Sequence, residues 1–444
     1  MAKTINIQTY GCQMNDYESD RTYRLFHDQY GYSWNEDPTT SDLVLFNTCS
    51  IREKADQKAM STIGSLLKAK ERNPKMVIAV GGCMAQMKGK EIQERFPYVD
   101  IVFGTHQWTQ LPNLVFNVQQ TKTPSLEIDL TSWKNYKFLP FDKTEEPYAV
   151  RENVTIQNGC NHFCTFCLVP FTRGREVSRP AKDILREIEI LADHGVKEVN
   201  LLGQNVNAYG SDRTGEMKFS KLLSAVAAIS GIERVRFVTS HPNVFDFEMI
   251  DVIADTKELC NDIHLPIQSG SDRILDLMER EYHIDQYRRL HDYMRKRIPN
   301  LSLRTDIIVG FPGETEEDFQ QTLNAVKEFD FDQSYSFMYS PRPNTKAAKW
   351  KEQFIEKEVA GERLIRLQSL QQEIHDRHSK AYLDQAVEVL VDGTPKKQGE
   401  GWLSGKTQTH RTVNFEGPKA WMGTLQNVVI TDTYPNSMRA VVAP

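Results

Sequence analysis

The chain has 444 residues, a length that predicts about three domains. Charged residues make up 26% of it and hydrophobic residues 39%, which excludes a collagen-like, disordered or membrane-embedded protein. The formal net charge of −6 does not by itself indicate a nucleic-acid-binding protein, although a local basic patch is compatible with it. No run of about 18 apolar residues occurs and the N-terminus has no apolar signal region, so we expect a cytoplasmic protein without a membrane span.

The first 120 residues alternate between strand-like and helix-like segments. Strands are predicted at Ile5–Thr9, Leu43–Phe46, Met76–Val80 and Ile101–Gly104. Continuous apolar runs such as the second and third are typical of strands buried on both faces of a parallel sheet. A long charged helix is predicted from about Glu53 to Arg72. Residues 1–120 are therefore predicted to form an open parallel α/β sheet domain.

Cysteine is the most informative residue type in the chain. There are seven cysteines, an odd number without any sign of secretion, so metal or redox chemistry is favoured over disulfides. Cys12, Cys49 and Cys83 each lie one to three residues past the end of a predicted strand. Because the carboxyl ends of parallel strands share one edge of a sheet, these thiols are expected to converge on a metal site. The alternative is that they are small buried residues in turns.

The remainder of the chain changes character twice. Residues 121–150 lack clean periodicity and are predicted to be an ordered linker. Six further strands are predicted, at Val154–Gln157, Val196–Leu202, Val235–Val238, Asp262–Leu265, Ser302–Val309 and Gln333–Met338. Residues 151–382 are therefore predicted to be a TIM-like, incomplete (βα)6 barrel that ends in a long helix. Residues 383–444, with short β segments between glycines, are predicted to be a small all-β barrel.

A cysteine triplet follows the first strand of the predicted barrel. Cys160, Cys164 and Cys167 are spaced C-x3-C-x2-C, so their thiolates can surround one compact metal centre. Three thiolates suit an iron–sulfur cube that keeps one iron open for substrate. A single zinc ion is the alternative, but it needs a fourth ligand and no second cysteine pair follows. His162 is expected to be a loop residue and Cys260 a packed free thiol.

The triplet, with Phe166 before its last cysteine, resembles that of radical S-adenosylmethionine (SAM) enzymes. The similarity to the methylthiotransferases among them spans the whole chain, and its motifs are Thr9 to Asn15, Asn47 to Cys49, Gly82 to Met84, Gln268 to Ser271, Met278 to Arg280, and Tyr339 to Pro343. The resemblance implies a methylthiotransferase domain, a radical-SAM barrel and a TRAM domain, in that order. One departure is Asn344, where the family has Gly, but Asn tolerates the left-handed conformation.

The resemblance also implies cofactors and a reaction. Cys160, Cys164 and Cys167 would bind the [4Fe–4S] cluster that chelates SAM, and Cys12, Cys49 and Cys83 would bind an auxiliary [4Fe–4S] cluster that holds the sulfur. Two SAM molecules per turnover would serve as methyl donor and radical source. The form of the first motif, Tyr10 to Asn15, is typical of members that insert a methylthio group at C2 of N6-isopentenyladenosine at position 37 of tRNA. The cofactor supplies this chemistry and the protein supplies placement.

Two other functions remain open at this point. The substrate could instead be N6-threonylcarbamoyladenosine in tRNA, or the protein could be a non-catalytic iron–sulfur RNA-binding sensor. Two cysteine triads argue against a sensor, because a sensor needs no second open cluster. The enzyme would need a flavodoxin-like or ferredoxin-like electron donor and a sulfur donor, and it is expected to be a monomer.

Candidate SAM contacts lie at the ends of the barrel strands, where barrel enzymes place their chemistry. They are Gln204, Asn205, Ser240, Gln268 and Arg304, and the resemblance adds Phe166, Ile308 and Gly310. For Arg304, a contact to the SAM carboxylate and a structural ion pair are equally open. The turn at Gly310 could also be an ordinary βα turn, with Thr315 and Asp318 as a helix cap.

The C-terminal segment interleaves basic and aromatic residues. Its candidate tRNA contacts are Lys396, Lys397, Trp402, Lys406, Arg411 and Phe415. Composition alone is a weak indication, because aromatic residues also fill protein cores, and the TRAM resemblance strengthens it. The domain is expected to bind the anticodon arm.

Overall fold

The computed structural model describes residues 3–50, 53–131, 135–141, 146–396 and 399–443. The chain divides into two compact units, which do not follow chain order. The first unit comprises Met1–Pro147, Gln157–Asn161 and Leu168–Arg179, and the second comprises Tyr148–Ile156, His162–Cys167 and Pro180–Pro444. The segment around the cysteine triplet, which we expected to belong wholly to the barrel domain, is therefore shared between the two units.

The first unit is built on a six-stranded, all-parallel sheet. Its strands are β1 (Lys3–Thr9), β2 (Tyr32–Trp34), β3 (Leu43–Thr48), β4 (Val77–Gly82), β5 (Ile101–Phe103) and β6 (Ser125–Glu127), in the order β2-β1-β3-β4-β5-β6. The helices are α1 (Gln13–Tyr30), α2 (Glu53–Ser65), α3 (Leu67–Arg72), α4 (Cys83–Arg95) and α5 (Leu111–Thr121). Every residue of β3 and β4 is buried, as their continuous apolar runs predicted.

The predicted open parallel α/β sheet is thus confirmed, with three differences. β2 and β6 are additional edge strands, and β6 lies within the segment predicted to be a linker. Each has three residues and includes polar ones, so neither produces an apolar run. The single helix predicted from Glu53 to Arg72 is two helices, which meet at Leu66.

The second unit contains the six predicted parallel strands, in two three-stranded sheets. They are β7 (Arg151–Thr155), β10 (Glu198–Leu202), β11 (Arg234–Phe237), β12 (Asp262–His264), β13 (Ser302–Val309) and β14 (Gln333–Met338). The sheet orders are β11-β10-β7 and β12-β13-β14. Between them, Val235 of β11 exchanges backbone hydrogen bonds with Glu258 and Cys260, just before β12. The incomplete (βα)6 arrangement predicted from the sequence is confirmed.

Helices cover the outer face of these strands. They are α7 (Ala181–Asp193), α8 (Phe219–Ala227), α9 (Phe247–Asp255), α10 (Asp272–Leu277), α11 (Ile284–Arg297), α12 (Glu316–Phe329) and α13 (Lys357–Lys380). In α7, Ile184, Ile188 and Leu191 recur at helical spacing and are all fully buried. Between β7 and α7, the first unit receives β8 (Gln157–Asn158), α6 (Val169–Thr172) and β9 (Val177–Ser178).

A closed five-stranded barrel completes the second unit. Its strands are β15 (Ala386–Gly393), β16 (Trp402–Thr407), β17 (Thr412–Glu416), β18 (Leu425–Thr433) and β19 (Met438–Val442), in the order β15-β16-β17-β19-β18. All pairings are antiparallel except β17 with β19. The predicted small all-β barrel is confirmed, although β19 was not predicted. In the described parts of the chain, no helix has the length and apolarity needed to cross a membrane.

Candidate metal centres

The N-terminal cysteines lie at the carboxyl ends of three neighbouring strands. Cys12 follows β1 and caps α1, Cys49 follows β3, and Cys83 follows β4 and begins α4. Because β3 pairs with both β1 and β4, the sheet brings the carboxyl ends of these three strands to one edge, as the sequence predicted.

Side-chain hydrogen bonds hold this edge together. The Asn15 amide donates to Asn47 Oδ1 at 2.6 Å and to the Thr48 carbonyl at 3.3 Å, and Cys12 Sγ lies 3.3 Å from Asn15 Oδ1. Gly11 has a φ of +141°, and a Cβ there would lie 2.7 Å from Cys49 Cβ. A larger residue at position 11 would therefore push the Cys12 turn away from Cys49.

A buried ion pair accompanies this triad. Arg173, which follows α6, donates to both carboxylate oxygens of Glu18, at 2.7 and 3.3 Å. Burial raises the pKa of the Cys83 thiol to about 12, while the Arg173 charge lowers it and the charges of Cys49, Glu18 and Cys12 raise it further. Sequence reasoning missed both Arg173 and Glu18, which are 155 positions apart.

Backbone hydrogen bonds fix Cys160 in the first unit and the Cys164–Cys167 segment in the second unit. In the first unit, Cys160 N–H donates to the Gly174 carbonyl at 3.2 Å. Gly159 has a φ of +81°, and a Cβ there would lie 2.1 Å from the Arg175 carbonyl oxygen, so the turn requires glycine. In the second unit, Cys167 N–H donates to the Cys164 carbonyl at 2.9 Å.

Thr165 attaches the Cys164–Cys167 segment to the end of α10. Its N–H donates to the Met278 carbonyl at 3.0 Å, and its hydroxyl donates to the Leu277 carbonyl at 2.8 Å. His162 behaves as the predicted loop residue: its Nδ1 lies 3.0 Å from Glu281, and its ring stacks on that of His241 with centroids 4.0 Å apart. Cys260 is buried, as expected of a packed thiol.

Both cysteine triads have the thiol donors that the implied clusters need. Among the described residues, no three His, Cys, Asp or Glu side chains are grouped to hold a single metal ion. Each triad has a buried arginine beside it, since Arg173 acts on Cys83 and Cys12, and Arg280 donates to Cys164 Sγ at 3.3 Å. A [4Fe–4S] cluster with thiolate ligands carries net negative charge, so three thiols with a buried cation fit such a cluster.

Several predicted SAM contacts meet at the carboxyl end of β13. Phe166 and Ile308 pack in one apolar cluster with the buried Phe311. Gly310 has a φ of +67°, and a Cβ there would lie 2.6 Å from Ala360 Cβ. Its N–H donates to Glu314 Oε2 at 2.7 Å, which places Glu314 beside this turn. Sequence reasoning did not assign Glu314 to the site.

The other strand-end candidates are distributed around the barrel. Gln268 is joined to β13, since its N–H donates to the Asp306 carbonyl at 2.8 Å and its carbonyl accepts from Ile308 at 3.0 Å. Gln204 and Asn205 follow β10, and Ser240 follows β11. Asn205 and Ser240 are buried and Gln204 is half-buried. Their contacts to SAM remain predictions.

Arg304 forms a buried ion pair in this structure. Its guanidinium forms two 2.7 Å hydrogen bonds with Asp262, and both side chains are buried. It lies near the start of β13, whereas Ile308 and Gly310 lie at the end of that strand. It lines a cavity of about 220 Å³ together with Lys406 and Arg411. The structural ion pair, one of the two alternatives for Arg304, is the arrangement found.

The predicted tRNA contacts fall into distinct environments. Phe415 is fully buried in the core of the small barrel, so its prediction as a base-stacking residue is wrong. Arg411 pairs with Asp332 at 3.1 Å, and the Lys406 amine donates to the Thr412 hydroxyl at 2.6 Å. Trp402 is half-buried with Arg439 4.7 Å from its ring centroid. Lys396 is exposed, and Lys397 lies outside the described residues.

Comparison with protein families gives three matches along the chain. Residues 154–326 match the radical SAM superfamily, residues 4–104 match the family described as uncharacterized protein family UPF0004, and residues 380–443 match the TRAM domain. Among solved structures, the radical S-adenosylmethionine methyltransferase TsrM from Kitasatospora setae superposes with a TM-score of 0.59 at 15% identity, over 78% of this chain and 77% of that one. The cobalamin-dependent S-adenosylmethionine radical enzyme OxsB superposes with a TM-score of 0.51 at 12% identity, over 81% and 56%. The fold and the cysteine triplet thus define a radical-SAM protein.

Curated relatives match the chain over its full length. The tRNA-2-methylthio-N(6)-dimethylallyladenosine synthase of Yersinia enterocolitica is 45% identical over 447 residues, covering 100% of this chain and 93% of that protein. The protein of the same name from Sodalis glossinidius is 44% identical with the same coverage. The chain belongs to the family of tRNA-2-methylthio-N(6)-dimethylallyladenosine synthases.

Proposed function

We propose that the protein inserts a methylthio group at C2 of N6-isopentenyladenosine at position 37 of tRNA. The observation that carries this proposal is the pair of cysteine triads, one at a sheet edge and one after the first barrel strand, each with a buried arginine. The names of the full-length relatives support the choice of substrate. A one-electron donor of the flavodoxin or ferredoxin type and a sulfur donor complete the reaction.

The protein's own residues would bind and orient the reactants. Cys160, Cys164 and Cys167 would hold the cluster that binds SAM, and Cys12, Cys49 and Cys83 would hold the second cluster. When bound, the clusters and two SAM molecules supply the radical, the sulfur and the methyl group.

Apolar and aromatic side chains would orient the two organic reactants. The Phe166 and Ile308 side chains would pack against SAM, beside the Gly310 turn that Glu314 fixes. In the small barrel, Trp402 offers a half-exposed ring for stacking on a loop base, and Lys396 offers an exposed charge for a phosphate.

Separate replacement of the two triads tests this proposal. Replacing Cys160, Cys164 and Cys167 by Ala should remove about half of the iron and abolish 5′-deoxyadenosine formation, because two four-iron clusters contribute equally. Replacing Cys12, Cys49 and Cys83 should also remove about half of the iron and abolish methylthiolation, while reductive SAM cleavage remains detectable. Cys260→Ala is the matched control and should keep all of the iron.

The result that contradicts the proposal is an N-terminal triple variant with full iron content that still inserts sulfur. Substrate choice is tested separately, with tRNA that carries either an isopentenyl or a threonylcarbamoyl group on the target adenosine. Mass spectrometry of the nucleosides should find the methylthio product only with the isopentenyl substrate. Absence of 5′-deoxyadenosine from the fully reconstituted protein would indicate a binding protein instead of an enzyme.

A further inference from the structure

Arg280 belongs to a motif that the proposed function leaves without a role. It lies between α10 and α11, and its side chain is buried, with 5% of the residue exposed. Its neighbours Glu279 and Glu281 are exposed and have φ values of 55° and 60°, a left-handed conformation that residues other than glycine rarely adopt. The backbone thus directs one arginine inward between two glutamates that remain at the surface.

No carboxylate in the described part of the chain pairs with the Arg280 guanidinium. One terminal nitrogen donates to Cys164 Sγ at 3.3 Å, and the other donates to the Pro266 carbonyl at 3.3 Å. Its Nε is buried and has no hydrogen-bond partner among the described residues. The two adjacent glutamates pair elsewhere, Glu279 with Lys346 and Glu281 with His162.

The buried cation therefore needs a compensating anion at Cys164. An unpaired charge in a protein interior is strongly unfavourable, and the sulfur of Cys164 is the group toward which Arg280 donates. Tyr282 covers another side of the guanidinium, with its ring centroid 5.4 Å from Arg280 Cζ. The Tyr282 hydroxyl donates to the Ile267 carbonyl at 2.6 Å, which fixes the ring in place.

We propose that Arg280 is a positioning residue that stabilises the reduced state of the cluster held by Cys160, Cys164 and Cys167. This inference rests on the proposed function, which places a [4Fe–4S] cluster on those thiolates. Reduction adds one electron, taken from an external one-electron donor of the flavodoxin or ferredoxin type, and transfers no proton to Arg280. A fixed cation hydrogen-bonded to a ligand sulfur lowers the free energy of the more negative state, because the surroundings screen charge poorly.

A redox titration of a single-cluster protein tests the inference. The parent carries Cys12→Ala, Cys49→Ala and Cys83→Ala, so that only the barrel cluster titrates, and Arg280→Gln or Arg280→Lys is added to it. Iron content is measured, and the reduced cluster is followed by electron paramagnetic resonance without SAM, so that the cluster stays in equilibrium with the solution potential. At a fixed solution potential, Arg280→Gln should lower the ratio of reduced to oxidised cluster at least tenfold, which for one electron is a shift of about 59 mV.

Arg280→Lys keeps the charge and should restore part of this loss. Arg273→Gln is the matched control, because Arg273 lies nearby in α10 but is itself exposed and already paired with the Asp318 carboxylate, and it should leave the potential unchanged. A fully iron-loaded Arg280→Gln protein with the parent's potential overturns the inference. So does loss of iron from both Arg280 variants, because the arginine would then be required for assembly. A parent without a four-iron signal overturns the proposed function itself, a result that no Arg280 variant can produce.

Discussion

Phe415 and Trp402 show that two aromatic residues of one small barrel can have opposite surroundings. Both alternate with basic residues in the sequence, so composition gave them the same interpretation. Phe415 in β17 is fully buried among Val389, Val413 and Ile430. Trp402, on the neighbouring strand β16, is half-buried beneath Arg439. Which face of a strand points inward depends on the closed barrel, and a single sequence does not reveal it at β16, where apolar residues are few.

The two aromatic residues should therefore respond differently to replacement. Phe415→Ala should lower the free energy of unfolding by about 3–5 kcal/mol, because it leaves a cavity in the core. Trp402→Ala should change stability little but weaken tRNA binding by about 1–3 kcal/mol, the contribution of one stacked base. Denaturant unfolding and tRNA binding measured on both variants check this. Unchanged tRNA affinity in Trp402→Ala would remove Trp402 from the interface.

Lys406 provides a prediction about pH. Burial, followed by the charge of Arg151, lowers the pKa of Lys406 to about 8. The unfolded chain keeps this amine charged up to about pH 10. Folding therefore releases a proton between these values, and the stability of the protein rises with pH across that window.

Lys406→Met removes this dependence. The variant should be more stable than the parent at pH 7, by about 1–2 kcal/mol, because the parent buries a charge there. At pH 9 the advantage should shrink, since the folded parent then holds a neutral amine. Denaturant midpoints at both pH values measure the difference, and Lys396→Met, at an exposed position, should show none. A stability advantage of Lys406→Met that grows with pH would contradict the lowered pKa of Lys406.

At the scale of elements, one carboxylate joins two helices. Asp318 in α12 accepts hydrogen bonds from the N–H and hydroxyl of Thr315, at 2.8 and 2.7 Å, and from the Ser271 hydroxyl at 2.7 Å. Ser271 is itself the N-cap of α10, and Arg273 of that helix pairs with Asp318. The Thr315–Asp318 cap was predicted from the sequence and is confirmed, whereas Ser271 lies 47 positions away and was not.

Replacing these residues should separate the local cap from the joint between helices. Thr315→Ala should cost about 1 kcal/mol, as for an ordinary N-cap, and Asp318→Ala should cost about 2–4 kcal/mol, since it also leaves Ser271 without its acceptor and Arg273 without its carboxylate partner. Burial raises the pKa of Asp318, but the hydrogen bonds from Arg273, Ser271 and Thr315 lower it overall. The contribution of Asp318 to folding stability is therefore complete above about pH 4 and is lost as the pH falls further. Unfolding at pH 7 measures both variants, and equal losses would mean that the second helix gains nothing from Asp318.

How far the sequence predicts this molecule depends on the range of the interaction. The strands β3, β4 and β5 were predicted because burial on both faces leaves an apolar run in the sequence itself, and β1 was predicted from its alternation of apolar and polar residues. The triads were predicted because each cysteine follows such a run or forms a compact triplet. Arg173 was not predicted, because Glu18 lies 155 positions away and nothing local distinguishes Arg173 from a surface arginine. Arg280 lies in one of the family motifs, but its contact with Cys164, 116 positions away, was not predicted.

At the scale of the whole molecule, the small barrel is joined to the parallel strands of the second unit through buried arginines. Arg234 and Arg236 of β11 donate to the carbonyl oxygens of Lys406, Thr407 and Gln408. Both arginines are nearly inaccessible to solvent. The small barrel thus supplies carbonyl acceptors to both arginines and the Glu388 carboxylate to Arg234, while Glu198 and Asp262 of the parallel strands pair with Arg236.

Deleting the residues after Ala381 should therefore destabilise what remains. Arg234 and Arg236 would lose acceptors, and the free energy of unfolding should fall by about 3 kcal/mol or more, as when one partner of a buried charge is removed. Thermal unfolding and iron content of the truncated protein check this, with Trp402→Ala as the control that perturbs the tRNA surface alone. An unchanged unfolding midpoint after truncation would show that the parallel strands supply enough hydrogen-bond acceptors for these arginines without the small barrel.

The strand order of the small barrel has a consequence for synthesis on the ribosome. Because β19 lies between β17 and β18, both of those strands have an open edge until Met438–Val442 has been translated. Arg234 likewise waits for an acceptor that is made 172 residues later. Non-local pairings of this kind form slowly and leave unpaired edges exposed to other nascent chains. The second unit should therefore reach its native state only late in synthesis, at the stage when it is most prone to aggregation.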